Sequence, residues 1–155
     1  MLKRFNVRVY GLMVNEYGEV LVADEQFKSG IRATKFPGGG LELGEGTREG
    51  LQREFMEETG IDVVIEDHFY TTDYFQPSFY DDHSQLISIY YVVSSSQWRN
   101  IPIAAKPFDF EVPLGQEAES FRWVTLPQLL EEPMLNLPVD KLVVKLFCEQ
   151  RMIIQ

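Results

Sequence analysis

Hydrophobic and polar residues alternate at the start of the chain and then give way to a continuous apolar run. This change occurs within residues 5–14 and is typical of a strand that enters a buried sheet. Residues 15–18 (NEYG) have the composition of a turn, and residues 19–23 (EVLVA) have that of a second strand. The pattern therefore predicts a hairpin over residues 5–23, followed by a polar loop over residues 24–35.

The rest of the chain is predicted to contain both strands and helices. Residues 86–93 (LISIYYVV) give the strongest strand signal, because they are mostly β-branched or aromatic. Further strands are predicted over 61–65, 69–75 and 120–125, and helices from Thr47 to Gly60, at Pro127 and over 139–151. Residues 76–84 and 94–116 are expected to be loops, and a connection as long as the second one is usually functional or mobile.

A helix with crowded glutamates follows a glycine-rich turn within residues 36–61. Thr47 is its expected N-cap and Gly60 its expected C-terminal stop. Glu54, Glu57 and Glu58 stand at positions i, i+3 and i+4, so their carboxylates project to one side of the helix. Like charges so placed repel each other, and a cation is the expected partner. Magnesium, manganese or calcium suit carboxylate oxygens, and there is no clustered Cys or His to suggest zinc.

The spacing of residues through this stretch is similar to that of a known motif, the Nudix box of the Nudix hydrolases. The matching positions are Gly39, Glu45, Arg53, Glu54, Phe55, Glu57, Glu58, Gly60 and Ile61. The resemblance implies an α/β fold of the Nudix type, a three-layer α/β/α sandwich with a mixed sheet. We expect one such domain over residues 1–155.

The resemblance also implies the roles of individual residues. Glu54, Glu57 and Glu58 are expected to bind Mg²⁺ or Mn²⁺ together with the Gly39 carbonyl, and Glu54 is a candidate to orient or deprotonate water. Arg53 is expected to be a structural organiser that binds a glutamate by paired hydrogen bonds. Its expected partner is Glu45, which is alternatively a helper in metal binding.

Two further positions, one in the motif and one far beyond it, leave alternatives open. Many family members draw another acid from a loop outside the box, and Glu117 is the first candidate here, with Glu119 in reserve; a plain surface carboxylate is the alternative. Gly50 stands where alanine is common, and a glycine inside a helix costs about 0.5 to 1 kcal/mol relative to alanine. Either its missing side chain leaves room for the metal site, or the substitution is simply tolerated.

Composition and charge narrow the class of protein further. The formal net charge of −10 argues against nucleic-acid binding, which requires a basic surface. No apolar run is long enough to cross a bilayer, and the first residues do not form a signal peptide. Cys148 is the only cysteine, and its apolar neighbours indicate a buried structural thiol. We therefore expect a cytoplasmic protein that binds neither nucleic acid nor membrane.

The resemblance to the Nudix box implies metal-dependent hydrolysis of a pyrophosphate bond in a nucleoside diphosphate linked to another group. Pro77 is placed similarly to a proline of ADP-ribose hydrolases, so ADP-ribose or a nucleotide sugar is slightly favoured. The alternatives are a housecleaning nucleoside triphosphate pyrophosphohydrolase and a non-catalytic Nudix domain that senses a nucleotide-like ligand. Arg32, Phe79 and Tyr80 are candidates for substrate binding, and the resemblance is compatible with a homodimer.

Overall fold

The computed structural model of the chain describes residues 1–131 and 138–154. The contacts divide the described chain into two compact units. The first unit contains residues 1–13 and 37–101, and the second contains residues 14–36 and the described residues from 102 onward. Whether the whole chain behaves as one domain stays a prediction.

The first unit contains a four-stranded mixed sheet. Its strands are β1 (Arg4–Met13), β4 (Gly38–Gly40), β5 (Val64–Thr71) and β6 (Ser84–Ser94), in the order β4-β1-β6-β5. β1 runs parallel to β6, with Tyr10 opposite Tyr90, whereas β4 and β5 are antiparallel to their neighbours. The prediction of a mixed sheet is confirmed. The predicted segments 61–65 and 69–75 are only partly strand: β5 joins the end of the first to the start of the second, with irregular pairing to β6, and residues 61–63 and 72–75 lie outside it.

The box helix packs against this sheet through its apolar residues. It is α1 (Thr47–Thr59), and Leu51 and Phe55 are fully buried. Gly11 of β1 makes room for the Phe55 ring, because a Cβ there would lie 2.5 Å from a ring carbon. Gly60 ends the helix as predicted, with a left-handed φ of 74° and its N–H bonded to the Met56 carbonyl.

The start of α1 differs from the prediction by one residue. Gly46 is the N-cap, and its N–H donates to the Glu49 side chain at 3.3 Å. The Thr47 hydroxyl instead forms a 2.6 Å hydrogen bond with the Tyr91 hydroxyl of β6. Thr47 therefore ties the helix to the sheet and does not cap it.

The second unit contains a three-stranded antiparallel sheet and two helices. The strands are β2 (Val20–Gln26), β3 (Arg32–Lys35) and β7 (Ala118–Val124), in the order β3-β2-β7. The helices are α2 (Leu126–Glu131) and α3 (Pro138–Ile154), and α3 buries Val139, Val143 and Phe147. Cys148 is a buried free thiol, as predicted, and burial raises its pKa.

The predicted hairpin over residues 5–23 is wrong. β1 and β2 lie in different sheets, because β1 pairs along its whole length with β6, and β2 pairs with β3 and β7. The predicted turn does form, and the Asn15 side chain accepts hydrogen bonds from the backbone N–H groups of Tyr17 and Glu19. Only a single bridge, between Val14 and Val20, follows it. Strands also replace much of the loop predicted over 24–35.

Candidate active site

Arg53 lies among the carboxylates of the first unit and binds several of them. Its Nε and Nη2 donate to the two carboxylate oxygens of Glu45 at 2.9 and 2.8 Å. Its Nη1 donates to Glu54 at 3.1 Å and to Glu57 at 3.2 Å. Its Nη2 also donates to the Gly40 carbonyl at 3.0 Å, which ties α1 to β4. One guanidinium thus offsets the repulsion between three carboxylates.

These contacts shift the pKa values of both partners in the directions that favour charge. The paired hydrogen bonds from Arg53, followed by a backbone hydrogen bond from Glu42, lower the pKa of Glu45 to about 2. The hydrogen bond to Glu45 is also the main reason that the pKa of Arg53 is raised. Both groups are therefore charged at neutral pH, and the geometry agrees with the organiser role expected of Arg53.

Two glycines provide the space that these carboxylates occupy. A Cβ on Gly50 would lie 2.7 Å from a methyl carbon of Leu41 and 2.9 Å from Oε1 of Glu45. A Cβ on Gly39 would lie 2.6 Å from the carboxylate carbon of Glu54. The missing side chain at Gly50 therefore makes room for Leu41 and Glu45, a use that neither of our two expectations for this glycine anticipated.

The donor chemistry of the predicted ligands fits a hard divalent cation, because all of them offer oxygen. The Glu54 carboxylate packs against the backbone of Gly39, whose carbonyl is the fourth predicted ligand. Glu58 is partly buried, and its Oε2 is fully enclosed. In residues 1–131 and 138–154, no three side chains of Asp, Glu, His or Cys converge closely enough to hold an ion. Glu54 and Glu57 bind Arg53 instead.

Sequence reasoning missed a basic residue that lies beside the glycine strand. Arg8 is opposite Gly40 in the sheet, and its Nη1 lies 3.6 Å from the position of a Cβ on Gly40. Its guanidinium stacks 4.0 Å from the centroid of the Tyr80 ring, and its Nε donates to the Tyr10 hydroxyl at 2.7 Å. The sequence carried no distinct signal for this role, since Arg8 follows the same alternation of polar and apolar residues as Asn6.

The predicted substrate-binding aromatics lie next to this arginine. The Tyr80 hydroxyl is 3.3 Å from that of Tyr10, so two groups hold this ring. Phe79 contacts Tyr80 edge to face and remains 41% exposed. The two aromatic side chains therefore differ in how firmly the described structure fixes them.

The remaining predicted site residues belong to the second unit. Arg32 begins β3, and its Nε donates to the Gln26 side chain at 3.1 Å. Glu119 lies in β7, 3.9 Å from the buried ammonium group of Lys35, which also pairs with Glu25 at 3.1 Å. Glu117 is exposed just before β7. The roles assigned to Glu117 and Arg32 stay predictions.

Comparison with known proteins identifies the family. A family model described as the NUDIX domain matches residues 4–146, which is nearly the whole chain. The chain belongs to the Nudix family. The expected enzyme class, a Nudix pyrophosphohydrolase, is supported by this match. The family acts on small nucleotide derivatives and generally uses divalent metals.

Solved structures of Nudix proteins share the fold of this chain. A MutT protein from Methanosarcina mazei Go1 is 24% identical, with a TM-score of 0.68, over 97% of this chain and 98% of the other. A NUDIX hydrolase from Nitrosomonas europaea is 16% identical, with a TM-score of 0.65, over 94% and 90% of the two chains. A UDP-X diphosphatase is 18% identical, with a TM-score of 0.63, over 98% and 66%.

No curated protein matches the sequence significantly. The similar structures confirm the mixed α/β fold expected for the family. Among the described residues, no helix is both long and apolar enough to span a bilayer.

Proposed function

We propose that this Nudix protein hydrolyses the pyrophosphate bond of a nucleoside diphosphate linked to another group, and that it requires Mg²⁺ or Mn²⁺. The observation that carries the proposal is the position of Arg53, whose guanidinium binds Glu45, Glu54 and Glu57 and the Gly40 carbonyl. This arrangement holds the acidic side of α1 beside the glycine strand β4. A structural helix would have no evident need for so many carboxylates around one cation.

The proposed metal ligands are the carboxylates of Glu54, Glu57 and Glu58 and the carbonyl of Gly39. A bound divalent cation would neutralise the charge that develops on the phosphoryl oxygens during hydrolysis. Glu54 is 12% exposed and packs against Gly39, so it is held in place more firmly than Glu57, which is 57% exposed. Glu54 is accordingly the residue that we propose to orient or deprotonate the attacking water.

Arg53 and Glu45 are proposed to act as positioning residues in this reaction. The pair forms a bidentate contact, which is among the most directional interactions between side chains. The same guanidinium touches two of the proposed ligands, so a change at Glu45 would be transmitted to Glu54 and Glu57. Second-sphere partners of this kind typically change metal affinity or activity by about 10- to 100-fold.

The first unit also carries groups suited to the substrate. Arg8 places a positive charge beside β4, where the anionic pyrophosphate would benefit from it. Phe79 is the proposed aromatic contact, because it is 41% exposed. We propose ADP-ribose or a nucleotide sugar as the substrate class, on the basis of Pro77 alone. A nucleoside triphosphate is the alternative.

The fold is compatible with both substrate classes. It is shared by a UDP-X diphosphatase and by a MutT protein, and one fold can host different substrates through different side chains. An assay must therefore distinguish the two substrate classes.

The test is a hydrolysis assay against ADP-ribose, UDP-sugars and nucleoside triphosphates, with and without Mg²⁺ and with product identification. The proposal predicts metal-dependent release of a nucleoside monophosphate and a phosphorylated second group. Release of pyrophosphate from triphosphates alone would establish the alternative substrate class. Binding of a substrate without any turnover would show that the protein is a sensor and would refute the proposed reaction.

A further inference from the structure

A surface cavity of about 410 Å³ lies entirely within the second unit. It is formed by the start of β3 and by the loop that precedes β7. Its lining side chains are Arg32, Lys106, Phe108, Asp109, Phe110 and Glu111. The described lining side chains thus combine two cations, two carboxylates and two aromatic rings, and together they have a formal charge of zero.

The guanidinium of Arg32 lies against both rings of this cavity. Its central carbon is 5.6 Å from the Phe108 centroid and 5.2 Å from the Phe110 centroid. The two rings meet edge to face, with centroids 6.2 Å apart and an interplanar angle of 87°. Among the described residues, the only side-chain hydrogen bond of Arg32 runs from Nε to Gln26 at 3.1 Å, so the N–H groups of its two terminal nitrogens remain as further donors there.

A buried amide fixes both Arg32 and the loop. Gln26 is 1% exposed, and its Nε2 donates to the carbonyls of Pro113 at 3.2 Å and Gln116 at 3.0 Å. Its Oε1 accepts from Arg32. The Gln26 side chain therefore fixes the Arg32 guanidinium relative to the end of the loop, so buried hydrogen bonds hold the cavity in shape.

A buried carboxylate holds the middle of the same loop. Asp24 is fully buried and accepts hydrogen bonds from Arg122, from the Thr34 hydroxyl and from the backbone N–H of Phe108. Phe108 has a φ of 51°, the only positive value among the described residues other than glycine. Such strain in a bulky residue persists only where the surroundings impose it, and it clusters at ligand sites.

We infer that this cavity binds a guanine base. A planar base can stack on the aromatic rings, and stacking on aromatic side chains is a common mode of base recognition. An arginine recognises the adjacent O6 and N7 acceptors of guanine by two parallel hydrogen bonds. The N1–H and N2 amino groups of guanine can donate hydrogen bonds to the carboxylates of Asp109 and Glu111. Adenine lacks the paired acceptors, and a bare phosphate gains little from a lining with no net charge.

The choice of a nucleotide as ligand rests on the proposed function, whereas the preference for guanine rests on the cavity and is independent of which nucleotide the enzyme hydrolyses. The test measures binding of GMP and AMP to the full chain in the presence of a chelator, so that no metal-dependent turnover is involved. GMP should bind about tenfold more tightly than AMP, which is the discrimination expected of one bidentate base contact. Equal binding of the two nucleotides, or no binding of GMP, would overturn the inference.

Three variants locate the site. Arg32→Gln should weaken GMP binding by about tenfold. Arg99→Gln is the matched control, because Arg99 stacks 4.3 Å from the Trp98 centroid in the first unit, and its loss should leave GMP binding unchanged. Phe108→Gly removes a stacking ring and also relieves the positive φ, so the variant should stay folded while it binds GMP less tightly. Unchanged GMP binding in both Arg32→Gln and Phe108→Gly would refute the inference.

The hydrolysis assay separates this inference from the proposed function. Turnover of the substrate panel by a protein that does not bind GMP would refute the guanine site and leave the pyrophosphohydrolase intact. Selective binding of GMP by a protein that hydrolyses none of the substrates would support the guanine site and refute the proposed function.

Discussion

The substitution Gly50→Ala tests whether the space at this position belongs to Glu45. In an unobstructed helix, replacing glycine by alanine stabilises the fold by about 0.5 to 1 kcal/mol. At Gly50 the added Cβ would lie 2.7 Å from a Leu41 methyl carbon and 2.9 Å from Glu45 Oε1. The end of Leu41 can move, but the Glu45 carboxylate is held by Arg53 and by the backbone N–H of Glu42.

The steric effect should exceed the gain in helix propensity. Overpacking of this kind typically costs about 1 to 3 kcal/mol. The net loss of unfolding free energy should then be about 0.5 to 2 kcal/mol, and a domain of this size loses about 2 to 4 °C in melting temperature per kcal/mol. Because Glu45 would also be displaced from Arg53, metal-dependent turnover should fall together with stability.

A double-mutant cycle with Glu45→Ala is the decisive assay. In that background the held carboxylate is gone, so Gly50→Ala should become neutral or stabilising. Thermal unfolding of the four proteins gives the coupling directly. If Gly50→Ala raises the melting temperature in the wild-type background as it would in an open helix, the contact with Glu45 costs nothing and our account of Gly50 is wrong.

Three further predictions concern the carboxylates of the first unit. Glu57→Gln and Glu58→Gln should abolish metal-dependent turnover and keep the fold. The control, Glu49→Gln in the first turn of the same helix, should retain activity. Turnover by either ligand variant at saturating Mg²⁺ would contradict the ligand assignment. Mg²⁺ or Mn²⁺ should raise the melting temperature by preferential binding to the folded state, and an unchanged melting curve at about millimolar metal would count against a site in the folded protein. Because folding lowers the pKa of Glu45, its charged carboxylate stabilises the folded protein above pH 4.5, and this stabilisation is lost as the pH falls toward about 2. Glu45→Gln should therefore make the free energy of unfolding, measured by denaturant unfolding, less dependent on pH in this acid range.

The acidic face of the Nudix box could be predicted from the sequence because its residues are close together along one helix. Glu54 and Glu57 lie within one turn of Arg53, and the spacing on a helix determines which side they share. The contact between Arg53 and Glu57 follows from their i, i+4 spacing, whereas Arg53 and Glu54 are adjacent in the chain and helix spacing does not predict their contact. The bidentate contact between Arg53 and Glu45 came instead from the family resemblance, which places the two residues at fixed positions.

The second unit was harder to predict because its polar residues are buried by distant partners. The sequence around Asp24 and Gln26 is polar and indicates a loop. In the structure, both residues belong to strand β2 and their side chains are buried. Asp24 accepts a hydrogen bond from Arg122, which lies 98 residues further along the chain. No local pattern can reveal such a partner. The same reason explains the incorrect hairpin, since β6, which pairs with β1, follows about 80 residues later.

The arrangement around Arg53 indicates which carboxylate would move when a divalent cation binds. Arg53 bonds one carboxylate oxygen each of Glu54 and Glu57, so a cation that took the same oxygens would replace one of these contacts. Glu45 accepts two hydrogen bonds from the guanidinium and is 14% exposed, and Glu54 is 12% exposed and packed against Gly39. Glu57 contributes one contact at 3.2 Å and is 57% exposed, so its side chain can turn toward an ion without a change in the backbone. We therefore propose that Glu57 is the carboxylate that would exchange its contact with Arg53 for a bound metal, while Glu45 would keep the guanidinium in place.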